Sequence, residues 1–155
     1  MIQRFFCSAF TVFMLGALGV ASASNVAAPS SASGEGSMTF GKDGHGVGYF
    51  VFDVTAKPQT SGSLLFAAEE PHSHLYPDVI VRVGAIKEAS FDGRTGKFSG
   101  AGMLHGESVT VQVRVFDGAG TTKPDRFSIT CTDKQGNVVF EADGEVSVGG
   151  VVVGG

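Results

Sequence analysis

The residues best placed to do chemistry are two histidines in the segment EEPHSHLYPD. His72 and His74 are two apart, so an extended segment turns both imidazoles to one side, with Glu69, Glu70 and Asp78 close by. Zinc takes imidazole nitrogen and carboxylate oxygen, which makes His72, His74 and Asp78 candidate metal ligands. No second matched pair completes the set, and a solvated loop accounts for the same residues. A second candidate is the loop DGAGTTKPD. Asp117, Asp125 and the backbone between them could supply oxygens to calcium. The EF-hand spacing is absent, and Asp at a turn commonly binds neighbouring amides instead.

Catalytic groups are not evident. A nucleophilic serine or cysteine needs a histidine and a third group beside it, and no serine sits in a G-x-S-x-G context. Fifteen acidic residues allow many carboxylate pairs of the glycosidase kind. The absence of Trp and the presence of only two Tyr weaken a sugar-stacking platform. Phe50, Phe52, Phe66, Phe98, Phe116 and Phe127 could line an apolar ligand cavity in a small barrel or simply fill a core. The expectation is a non-enzyme without a cofactor.

The elements that must position these residues are strands. In SVTVQVRVF, Val109, Val111, Val113 and Val115 alternate with Thr110, Gln112 and Arg114, the period of a half-buried strand. VGYFVFDVTA is apolar on both faces, with Phe50, Phe52 and Val54 opposite Tyr49, Val51 and Asp53, and reads as a central strand. DVIVRVGAI places Val79, Val81 and Val83 opposite Ile80 and Arg82. FSITCT places Phe127, Ile129 and Cys131 on one face, which makes Cys131 a buried apolar residue. Short strands are also expected at Met38–Phe40, Ser63–Ala68, Ala89–Phe91, Lys97–Leu104, Val138–Glu141, Glu145–Val148 and Val151–Val153. The result is an all-β chain, an antiparallel β-sandwich or β-barrel of about ten short strands.

The N-terminal segment has its own signature. Arg4 is followed by an uncharged apolar run from Ala9 to Val20 and then by Ala21-Ser22-Ala23. A basic start, a short apolar centre and an A-x-A ending form a secretory signal peptide, and the run is too short for a spanning helix of roughly 20 residues. The expected organisation is a signal peptide over 1–23 with cleavage near Ala23, a disordered leader over 24–37, and one all-β domain over 38–155. The protein is expected to be exported, periplasmic or extracellular, with no membrane span in the mature chain. Removing Arg4 leaves ten basic against fifteen acidic residues, a net charge of −5. Nucleic acid is a poor partner for such a chain, because phosphate binding rests on clustered Lys and Arg. The mature part has 18 Val and only 4 Leu, and stiff β-branched side chains suit strands. Cys131 is its one cysteine, so no internal disulfide forms and packing must supply the stability.

One stretch carries a family pattern. Phe91-x-Gly93 precedes Lys97-Phe98-x-Gly100-x-Gly102 and Gly106; a strand ending in Asp117-Gly118 leads to Pro124-Asp125-Arg126-Phe127-x-Ile129, and Gly144 and Gly149-Gly150 follow. This order resembles the post-COAP-1 domain, a bacterial exported β domain found near the end of large surface or secreted proteins. The similarity runs over roughly Gly48 to Val153. His105 stands where that family often has Asn, and DGAGTTKP replaces a shorter loop. The matching positions are turn and packing residues. The family has no assigned activity, so the resemblance implies an accessory domain and no reaction. The functional expectation is a secreted, non-catalytic β domain with a structural role or an unknown protein or cell-surface partner. The alternative is a small barrel that binds an apolar ligand, or a barrel enzyme of allene-oxide-cyclase or dirigent type, to which the hairpin FDGRTGKFSGAG is loosely similar.

Overall fold

A computed structural model describes residues 30–41, 44–69 and 79–154. Eight antiparallel strands follow in chain order: β1 (Ser31–Phe40), β2 (Gly46–Thr55), β3 (Ser61–Glu69), β4 (Val79–Asp92), β5 (Thr95–Leu104), β6 (Glu107–Phe116), β7 (Arg126–Thr132) and β8 (Val138–Gly154). Each strand pairs with its sequence neighbour, and β8 returns to β1, closing a barrel. Of the two expected architectures the barrel is the one adopted.

Eight strands replace the expected ten or so because neighbouring runs fuse. Ala89–Phe91 continues the strand from Val79 through register shifts on either side of Ile86. Such bulges bend a strand without ending it. The three expected strands after Val138 form one, β8. Its first part pairs with β7 from Val138 to Glu145. Its second part pairs with β1 from Val146 to Gly154.

The expected disordered leader is corrected over residues 31–37, which belong to β1. The segment SASGEGS buries little side chain, but its backbone is hydrogen-bonded on both sides, to β2 and to β8. Backbone pairing and glycine supply what apolar residues do elsewhere. A Cβ on Gly34 would come within 2.7 Å of the Phe52 ring, so only glycine lets that ring lie against the strand. The expected signal peptide over 1–23 lies outside the described residues.

Alternation sets inside from outside. Phe50, Phe52 and Val54 of β2, Val79, Val81 and Val83 of β4, Val109 to Val115 of β6, and Phe127, Ile129 and Cys131 of β7 all point inward and are buried. An eight-stranded barrel has an interior just wide enough for side chains to fill. Here aromatic rings fill it. Phe127 stacks on Phe50 with centroids 4.4 Å apart and on Phe66 at 5.8 Å, while Phe52 meets Phe98 at 5.2 Å.

The turns follow local chemistry. The β5–β6 connection is His105-Gly106, both at positive φ (50° and 84°). That is the requirement of a type I′ hairpin turn, which Asn-Gly usually meets. In the β7–β8 turn, Asp133 accepts N–H bonds from Gln135 and Asn137 through one carboxylate oxygen. The Asn137 side-chain amide donates to the other. These bonds, that of the Asn137 side chain foremost, lower the Asp133 pKa below its usual value.

Candidate functional site

Asp117 and Asp125 do come together, and their partners determine what they can do. Past Glu145, β8 has no β7 partner on that side, because β7 begins only at Arg126. A free strand edge presents unpaired amides. The β6–β7 loop takes them up. The Asp125 carbonyl accepts from the Val146 amide at 2.9 Å. Asp125 Oδ2 accepts from the Val151 amide at 2.7 Å and Oδ1 from the Gly118 amide at 2.7 Å. Asp117 Oδ2 accepts from the Val153 amide at 3.2 Å and Oδ1 from the Ala119 amide at 2.8 Å. The Arg94 guanidinium stands 3.7 Å from Asp117 Oδ1. The two aspartates therefore stand in for the missing strand.

This geometry is a carboxylate clasp. The amide hydrogens and the guanidinium around the carboxylates carry positive partial or full charge, the sign opposite to what a calcium cage gathers. Among the described residues, no three His, Cys, Asp or Glu side chains gather as a metal site. The other metal candidates, His72, His74 and Asp78, lie outside the described residues.

The six phenylalanines divide. Phe50, Phe52, Phe66, Phe98 and Phe127 point into the barrel, each at most 4% exposed, and they pack on one another. Phe116 is corrected: it follows inward Val115 and so has the outward parity of Thr110, Gln112 and Arg114, half-buried on the outer wall. The grooves around the barrel open to solvent on the outside. One of about 540 Å³ lies over Glu35, Gly36, Ser37, Tyr49, Val148 and Gly149.

Cys131 is fully buried, and loss of water around the thiol pushes its pKa up from 9.0 to about 11. A thiolate is the reactive form, so the native protein should resist an aromatic disulfide reagent at pH 8 and react stoichiometrically once unfolded in urea. Burial favours the neutral thiol, so the folded pKa exceeds the unfolded one. The corresponding stability is complete below about pH 9 and declines as pH rises towards 11. A urea midpoint that is flat across that interval would contradict the burial.

The outer wall has two unlike halves. Over β5, β6, β7 and the first part of β8, outward residues are mostly polar or charged, among them Lys97, Gln112, Arg114, Thr130 and Glu141, with Met103, Val138 and Val139 exposed near the strand ends. Over β8, β1, β2, β3 and β4, exposed apolar residues cluster: Val148 (70% exposed), Val152, Tyr49, Val51, Leu65 and Ile80. The strand registers make them neighbours. Tyr49 lies beside Ser37 and Ala67, and Val51 lies between Glu35 and Leu65. Tyr49 and Val51 form the second face of the doubly apolar strand for which a central position is expected above. In a closed barrel every strand has two neighbours and one face in solvent, so the same pattern marks an exposed apolar wall.

The chain matches no protein-family model, no curated protein and no solved structure.

Proposed function

We propose that this protein is an exported, non-catalytic barrel domain that works by protein or cell-surface contact through its apolar outer wall. The observation that carries the reading is the unequal outer surface. Scattered surface apolar residues are ordinary, but a contiguous patch rimmed by polar residues marks an interaction site. The filled interior and the engagement of Asp117 and Asp125 by amides support the same reading, since they occupy two of the places where a ligand or a cation would be sought. Export rests on the 1–23 segment, and the accessory role agrees with the post-COAP-1 resemblance. Outward Arg82, Lys97 and Arg114 argue against a lipid-facing barrel, because a midplane Arg or Lys there costs about 2–4 kcal/mol.

Two measurements test this. The exported protein should have the mass of a chain starting at Ser24 and should co-fractionate with the cell envelope or a protein partner. Leu65→Asp, an exposed change, should release it without altering its melting temperature. Equal fractionation of the two proteins would sink the docking wall. Melting with zinc, calcium and a panel of apolar ligands should leave the midpoint unchanged. A ligand that binds only the native state must raise it, and such a shift would favour the ligand-binding barrel.

A further inference from the structure

The apolar wall carries information about what covers it. One row across it, read through the registers, is Glu35 (β1), Val51 (β2), Leu65 (β3), Arg82 (β4). The next row is Ser37, Tyr49, Ala67, Ile80. Strands are spaced about 4.8 Å apart, so the acid and the base stand about 14 Å from each other on the outer two of these four strands; beyond them lie further exposed apolar residues, Val148 and Val152 on β8 and Met103, the register partner of Arg82, on β5. Both are exposed, and among the described residues neither forms an ion pair.

We infer that this wall pairs with the same wall of a second copy, about a two-fold axis lying in the interface, parallel to the strands and between β2 and β3. The inference rests on the docking reading above and specifies its partner. Such an axis exchanges β1 with β4 and β2 with β3 at the same height. It sets Glu35 against Arg82 of the other copy, and Arg82 against its Glu35. Val51 meets Leu65, and the large Tyr49 ring meets the small Ala67. Ile80 meets Ser37. The wall is thus complementary to itself in charge and in size, as an isologous contact requires. Because the axis runs along the strands, the two walls stack with strands nearly aligned, the common way for sheets to pack face to face. No other axis in the plane keeps the acid, the base and the large-to-small match in the same rows.

The test is sedimentation equilibrium of the purified exported protein over a wide concentration range. The wild type should be a reversible dimer. Arg82→Glu, which sets acid against acid twice in the symmetric contact, should weaken the dimer by about 100-fold, within the range of like-charge juxtaposition. Glu35→Arg should weaken it similarly, and the double variant E35R/R82E should restore it. Both positions are exposed, so all variants should melt as the wild type does. A wild type that stays monomeric overturns the pairing, as does a dimer indifferent to either charge reversal. If the monomeric wild type is still retained on the envelope and Leu65→Asp is not, the docking wall stands with a different occupant.

Discussion

Replacing Phe127 by alanine will destabilise the barrel by about 3–5 kcal/mol, the usual cost of removing a buried ring, and lower its melting temperature by roughly 10–20 °C. Phe127 is fully buried and sits at the centre of the interior stack. It lies nearly parallel to Phe50 and Phe66, at interplanar angles of 6° and 2°, and touches Phe52 at 6.0 Å. Stacked rings contribute beyond the area they bury, and rings held on three strands cannot collapse into the space left behind. Phe116→Ala supplies the contrast. It lies on the outer wall and should cost about 1 kcal/mol or less, as surface changes do. Urea titration of both variants checks the pair. A Phe127→Ala loss below that of Phe116→Ala would mean that the interior is loosely filled and open to a ligand.

Replacing Asp125 by alanine will cost about 3 kcal/mol. The carboxylate is the acceptor for two part-buried amides, Gly118 and Val151. Hydrogen bonds to charged groups contribute about 1.5–3 kcal/mol each, and an orphaned buried donor bears its own desolvation penalty. Asp125→Asn keeps one oxygen acceptor and should lose roughly half as much. The diagnostic is amide hydrogen exchange. In Asp125→Ala the Val151 amide should lose protection, while amides in the β5–β6 ladder keep theirs. Unchanged protection at Val151 would show that the clasp does not hold the end of β8.

Much of the interior was legible because its signal is local. Val109 to Val115 and Phe127 to Cys131 alternate without interruption, and alternation alone fixes which side chains point inward. Three things were not legible, each for a physical reason. Residues 31–37 looked unstructured because side-chain composition does not report backbone pairing. β1 is held by two ladders, and its glycines let the Phe52 ring close over it. The fusion of three expected strands into β8 was hidden because Gly144 and Gly149 fall in the gaps between the apolar runs. Within β8 these are sites of close approach: a Cβ on Gly144 would collide with the Thr39 carbonyl, and one on Gly149 with the Glu35 carbonyl. The clasp was missed because its donors, Val151 and Val153, lie 26 and 36 residues from their acceptors. The Asp-rich loop pointed to cations, and the free edge that it serves exists only after the barrel closes.

The closure of β8 on β1 has a consequence for the order of the chain. Seven ladders join strands adjacent in sequence, and the eighth joins Ser31 to Gly154, whose side-chain and backbone groups are 2.6 Å apart across 123 positions. In a ring of this kind no strand is first. A short linker from Gly154 to Ser31, with the chain reopened at the His105-Gly106 turn, would turn the longest-range ladder into a local hairpin and leave every pairing in place. The architecture is thus cyclic in a sense the linear sequence conceals: a circular permutant keeps the same inward faces, the same clasp and the same outer wall.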